Sequence, residues 1–114
     1  MYVLVRMQED PAAVTLEEPA DCTRFHVAVE GDGDEEALRR ALTGSGFGRL
    51  VSRDQAYIEV ETVRRLARGR VDDGWPERFQ AMLEYAARKG WLDETGTAIA
   101  AHCEWQTAAR PATG

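Results

Sequence analysis

Residues 74–91 read GWPERFQAMLEYAARKGW, and this stretch carries the most complete set of helix signals in the chain. Pro76 suits a first helical turn, because the amide hydrogen that proline lacks would be unpaired there in any case. Gly90 can adopt the left-handed backbone conformation that ends a helix. Apolar residues recur at helical spacing between these two signals, which predicts a core helix. Its apolar face consists of Trp75, Phe79, Met82, Leu83 and Ala86.

The rest of the chain predicts strands and two further helices around this core helix. Pro11, Pro19 and several acidic residues predict an ordered loop over residues 9–22. Alternating apolar residues are typical of strands, and apolar residues three and four apart are typical of helices. These patterns predict strands at residues 2–7, 23–30, 48–52, 56–60 and 97–105, and helices at residues 34–43 and 61–68.

The predicted element order is β-β-α-β-β-α-α-β. Short connections between sequential strands favour an α+β domain, in which a mostly antiparallel sheet has its helices packed on one face. A chain of 114 residues suits a single core. We therefore expect one domain over residues 1–105, followed by a flexible C-terminal tail over residues 106–114.

Charge and cysteine content limit the classes of function. The formal net charge is −6, and an acidic surface argues against tight, non-specific binding of nucleic acid. The first residues show no signal peptide, and no apolar run is long enough to cross a membrane. We therefore expect a cytoplasmic protein in which Cys22 and Cys103 are reduced thiols.

Cys22, His26, His102 and Cys103 form a nominal zinc-ligand set, but their spacing argues against a metal site. His102 and Cys103 are adjacent on a predicted strand and so point to opposite faces. The interval from Cys22 to His26 runs into another strand, where four residues span about 13 Å. We therefore predict no metal and no cofactor, with Cys103 in the core and His102 on the outer face.

The same residues supply the candidates for catalysis. His26 or His102 could act as a general base beside a cysteine thiol, but such a dyad needs a group that orients the base, and a cleft. The sequence shows neither feature. We therefore predict a protein that is not an enzyme, and keep a catalytic or small-molecule-binding protein that uses His26 and His102 as the alternative.

A second alternative is a nucleic-acid-binding protein. Residues 61–105 follow the outline of a winged helix, and Arg64, Arg65 and Arg68 would contact nucleic acid. The second helix of this region would then enter the major groove, where Glu77 and Glu84 would meet phosphates. A salt-bridged, solvent-exposed helix face explains these charges better.

Trp75 and Trp91 are the candidate interface residues. Sixteen residues separate them, about 24 Å along a helix, so they cannot occupy one place in the core. At least one is expected near the surface, where tryptophan often anchors a protein interface. The alternative, that both cover the edges of the core, stays open, because aromatic residues dominate cores and interfaces alike.

Three segments, at residues 75–79, 89–92 and 97–102, resemble a family of small actinobacterial proteins of uncharacterised function. The resemblance implies no activity and transfers no catalytic or binding residue. We therefore expect a small, cytoplasmic, non-enzymatic domain that acts by binding a protein partner, either a second copy of itself or another protein.

Overall fold

Three helices and six strands make up the computed structural model of the chain, which describes residues 1–9, 12–31 and 33–106. The strands form a single mixed sheet, and the chain is a single α+β domain, as predicted. In chain order the elements are β1 (Tyr2–Arg6), β2 (Ala13–Glu17), β3 (His26–Glu30), α1 (Glu35–Ser45), β4 (Gly48–Ser52), β5 (Gln55–Glu59), α2 (Val60–Ala67), α3 (Trp75–Lys89) and β6 (Ala98–Gln106).

The spatial order of the strands is β2-β1-β3-β6-β5-β4. The β1–β2, β5–β6 and β4–β5 pairs are antiparallel, so the sheet is antiparallel at both sides. The two central pairs, β1–β3 and β3–β6, are parallel. Within the described residues the sheet therefore has two edge strands, β2 and β4.

Strand β2 corrects the prediction of a loop over residues 9–22. Pro19 follows the strand instead of interrupting it, so it does not prevent β2 from pairing with β1. Pro11, Pro19 and the acidic residues around β2 are typical of a loop and mask the alternation of Val14 and Leu16 with Thr15 and Glu17. The observed element order accordingly has one strand more than the predicted order.

One face of the sheet forms the core together with all three helices. The register places Val3, Val27 and Cys103 in one row across β1, β3 and β6, and all three side chains are at most 1% exposed. The helices cover this face, as predicted. Their residues in the core cluster are Leu38, Leu42, Val60, Val63, Ala67, Trp75, Phe79, Leu83 and Ala86.

The predicted boundaries of α1 and α3 agree with the structure to within two residues because local capping signals fix them. Asp34 accepts a hydrogen bond from the amide of Ala37 at 2.8 Å and caps α1. Gly46 and Gly90 end α1 and α3 in the left-handed conformation, with φ of 79° and 78°. Pro76 lies in the first turn of α3.

Of the predicted tail, Gln106 is the last residue of β6, and residues 107–114 lie outside the described residues. Every helix in the described part of the chain is too short or too polar to span a membrane.

Candidate interaction site at the C-terminal end of helix α3

Trp75, at the N-terminal end of α3, belongs to the core. Its side chain is 5% exposed and stacks on Phe79 with a centroid distance of 4.6 Å. Its indole Nε1 donates a hydrogen bond to the carbonyl oxygen of Pro19 at 2.6 Å, in the segment that joins β2 to β3. The prediction that Trp75 is an interface residue is therefore wrong, because a buried indole with a satisfied N–H has no surface to offer a partner.

Trp91, just beyond the C-terminal end of α3, is exposed. Its side chain is 45% exposed although its main chain is fixed on two sides. Its amide donates to the carbonyl oxygen of Ala86 at 2.9 Å, and its own carbonyl accepts from the amide of Ala100 at 2.6 Å. The first bond belongs to the helix terminus and the second to strand β6. The backbone therefore holds this indole at the surface.

Tyr85 extends the exposed aromatic surface next to Trp91. The two rings meet edge to face with a centroid distance of 5.7 Å, and Tyr85 is 47% exposed. Both side chains line a cleft of about 400 Å³. We call this site the Trp91 cleft. Its other lining residues are the apolar Phe25, Met82, Ala86, Ile99, Ala100 and Ala101 and the polar Thr23, Arg24, Asp54, Gln55 and His102.

The rim of the Trp91 cleft is positively charged on the α3 side. The Arg88 guanidinium and the Lys89 ammonium lie 5.8 and 5.5 Å from the centroid of the Tyr85 ring. Within the described residues, neither side chain forms an ion pair with a carboxylate. On the opposite side Arg24 lies 3.7 Å from Asp21 and is partly neutralised.

The fold brings the two histidines side by side. His26 on β3 pairs in register with His102 on β6, on the face of the sheet that the helices leave open. His26 stacks on Tyr2 at 5.1 Å, and its Nε2 lies 3.9 Å from the Glu104 carboxylate. His102 is exposed and lines the Trp91 cleft, whereas His26 does not.

Neither cysteine is arranged as a nucleophile for these histidines. Cys103 lies on the core face, opposite His102, and burial, followed by the charge of Asp54, raises the pKa of its thiol to about 12. Burial also raises the pKa of the half-buried Cys22 thiol. Both thiols therefore stay protonated at neutral pH, which makes them poor nucleophiles. The predicted position of Cys103 in the core is confirmed.

Metal ligands do not converge in the described part of the chain. No group of three His, Cys, Asp or Glu side chains there is arranged to hold a metal ion.

The arginines of the nucleic-acid alternative have different neighbours around α2. Arg64 pairs with Glu61 and lies 5.5 Å from the centroid of the Phe79 ring, between α2 and α3. Arg65 lines a separate groove beside β2. Arg68 is exposed at the end of α2. This divergence does not favour one continuous phosphate-binding surface.

The sequence identified Trp91 but not the cleft beside it. Tyr85 lies outside the apolar spacing of α3, and Phe25 precedes a strand whose start was predicted three residues too early. One signal was available for the two tryptophans. Sixteen residues amount to about 4.4 turns, so on an uninterrupted helix the indoles of Trp75 and Trp91 would leave on nearly opposite sides of the axis.

Comparison of the chain with protein-family models, with curated proteins and with solved structures found no match.

Proposed function

We propose that this protein is a small, cytoplasmic, non-enzymatic domain that binds a protein partner through the Trp91 cleft. The observation that supports the proposal best is the combination of an exposed indole and a fixed backbone at Trp91. Two main-chain hydrogen bonds hold the residue in place while nearly half of its side chain faces solvent. A preorganised aromatic group loses little conformational entropy when it is covered.

The composition of the site supports a protein as the ligand. Trp91 and Tyr85 together expose two large aromatic side chains at one place, and tryptophan, tyrosine and arginine are the residue types most enriched at the energetic centres of interfaces. The adjacent cleft offers an apolar wall that a side chain of the partner would fill, with Met82 and Phe25 in contact with it. Arg88 would lie at the rim.

A second candidate function is the binding of a small molecule, and the position of His102 favours it. The cleft has a volume typical of ligand pockets and combines apolar walls with a few converging polar groups. Because His26 lies outside the cleft, His26→Ala is the matched control for His102→Ala. A compound that raises the melting temperature of the wild type and of the His26 variant, but not of the His102 variant, would support this function.

Affinity enrichment with three baits tests the proposed protein-binding function. The baits are the wild type, Trp91→Ala and Val51→Ala, since Val51 is 51% exposed and lies elsewhere, on β4. We expect a defined set of proteins that the wild type and the Val51 variant retain and the Trp91 variant loses. If the partner is a second copy of the chain, sedimentation velocity shows a dimer that only Trp91→Ala dissociates. An identical set of proteins on all three baits, together with a monomer throughout, would contradict the proposal.

A further inference from the structure

Strand β2 presents main-chain groups that point away from β1 at one edge of the sheet. Arg70 donates a hydrogen bond to the carbonyl oxygen of Leu16 at 2.9 Å, so this carbonyl points away from β1. In an antiparallel ladder both main-chain groups of one residue point the same way, and the direction alternates from residue to residue. The amide and carbonyl of Val14 therefore also point outward, whereas those of Thr15 face β1.

A groove of about 480 Å³ runs along this edge. Its first wall is β2, from Val14 to Glu17. Its second wall is α2, which contributes Thr62, Arg65 and Leu66, three residues that share one side of the helix because they are spaced i, i+3 and i+4. Phe47 adds a further apolar surface. We call this site the β2 groove, and an edge strand that faces a helix across a groove is an arrangement that accepts an additional strand.

The β2 groove carries two arginine side chains. Arg65 and Arg70 both line it, and within the described residues neither forms an ion pair. Glu17 also lines the groove, but its carboxylate accepts a hydrogen bond from the Thr15 hydroxyl at 2.8 Å. The register places both of these side chains on the sheet face that the helices leave open. Two guanidinium groups without a carboxylate partner therefore give this edge a local positive charge, although the whole chain has a net charge of −6.

We propose that the β2 groove binds an extended, acidic segment of a partner protein as an added β-strand. The segment would hydrogen-bond to the outward main-chain groups of Val14 and Leu16, and its carboxylates would pair with Arg65 and Arg70. In the free protein the Arg70 guanidinium satisfies the Leu16 carbonyl, a common way to protect an edge strand. An amide of the segment takes over that bond, which releases the guanidinium for a carboxylate.

Peptide chemistry fits this edge better than nucleic-acid chemistry does. A strand supplies a row of alternating amides and carbonyls that matches the outward groups of β2, and a phosphate backbone supplies acceptors only. The β2 groove is also separate from the Trp91 cleft, since the two share no lining residue. This inference therefore stands independently of the proposed function.

Selection from a library of random displayed peptides tests the inference on the full chain. We expect the enriched peptides to carry Asp or Glu at alternating positions. A synthetic copy of the most enriched peptide should lose about tenfold or more in affinity on Arg65→Glu. Arg53→Glu changes the net charge equally at an exposed site beside β4, at the opposite edge of the sheet from β2, and should alter affinity less than about twofold. Trp91→Ala should leave the affinity unchanged.

Methylation of the peptide amides tests the strand geometry. Methyl groups on alternate amides in one register should abolish binding, and methyl groups in the other register should be tolerated, because only one register faces β2. The inference is overturned by enriched peptides without an acidic excess, by equal losses on Arg65→Glu and Arg53→Glu, or by indifference to methylation. Binding of single-stranded DNA that depends on Arg65, without any peptide binding, would overturn it in favour of nucleic acid.

Discussion

Trp75 and Trp91 lie at the two ends of α3 in opposite environments. The Trp75 indole is buried, stacked and hydrogen-bonded, whereas the Trp91 indole faces solvent although its backbone is fixed. The same residue type therefore stabilises the fold at one end of the helix and offers a binding surface at the other. Trp75 lies in the first turn of α3, whereas Trp91 follows the Gly90 cap, after the helix has ended.

Alanine substitutions should separate the two roles. Trp75→Ala removes a large buried side chain and leaves the Pro19 carbonyl without its donor, so we expect a loss of about 3–5 kcal/mol in the free energy of unfolding. Trp91→Ala should cost less than about 1.5 kcal/mol, because the side chain is already half exposed. Urea unfolding followed by circular dichroism measures both values. Similar losses for the two variants would show that the assigned environments are wrong.

The burial of Cys103 leads to a prediction about reactivity. Because burial holds the pKa of this thiol at about 12, almost none of it is thiolate at about pH 8. In a Cys22→Ser variant, which leaves Cys103 as the remaining thiol, we expect no reaction with dithionitrobenzoate in the native state. Full reaction should follow unfolding in urea. Rapid reaction of the native variant would place Cys103 at the surface.

Strands β4 and β5 approach each other closely at Gly48, which restricts the side chain that this position can carry. A Cβ atom at Gly48 would overlap the carbonyl oxygen of Tyr57 on the paired strand and would lie 3.0 Å from Cα of Ile58. By contrast, a Cβ atom at Gly44, inside α1, would meet no neighbouring atom within 4 Å. These glycines therefore serve different purposes, and only the first is required by packing.

Two alanine variants test this difference. Gly48→Ala should destabilise the protein by about 1–3 kcal/mol, because β4 must move away from β5. Gly44→Ala should stabilise it by about 0.5–1 kcal/mol, because alanine is the better helix former. Thermal unfolding of both variants beside the wild type provides the measurement. A neutral Gly48→Ala variant would mean that the hairpin is not packed as described.

The elements differed in how far the sequence could predict them. Helix α3 and the β4–β5 hairpin depend on signals within a few residues, such as Pro76, Gly90 and the alternation on both sides of Arg53, and were predicted correctly. Strand β2 and the parallel pairs of β3 depend on pairing between distant segments, which local patterns do not encode. The Trp91 cleft was not predicted for the same reason. Its walls come from separate segments of the chain that only the tertiary fold brings together.

Two carboxylates outside the core connect the stability of the whole molecule to pH. Hydrogen bonds from the hydroxyl and the amide of Thr23 lower the pKa of Asp21 to about 2. For Asp93, burial acts to raise the pKa of the carboxyl. Hydrogen bonds from the amide of Ala98, the hydroxyl of Thr95 and further donors, together with the charge of Arg49 at 3.5 Å, outweigh burial and lower this pKa. Both groups are thus ionised more readily in the folded state than at their ordinary pKa of 3.8.

We therefore expect a loss of stability in acid. A lowered folded-state pKa contributes stability that is present above the ordinary pKa and disappears as the pH falls towards the folded value. The contribution of these two carboxylates to the free energy of unfolding should be nearly constant above about pH 5 and should fall between about pH 4 and pH 2. The double variant Asp21→Asn, Asp93→Asn should be less stable at neutral pH and should show a shallower decline. An unchanged slope in that variant would assign the acid sensitivity to other groups.

Site-specific photocrosslinking in the cells that produce the protein shows whether Trp91 contacts a protein partner. A benzophenone amino acid replaces Trp91 in one variant and Val51, exposed on β4, in the control. We expect a discrete crosslinked product from position 91 and none from position 51. Equal products from both positions, or no product from position 91 in a variant with an intact fold, would contradict the proposed contact.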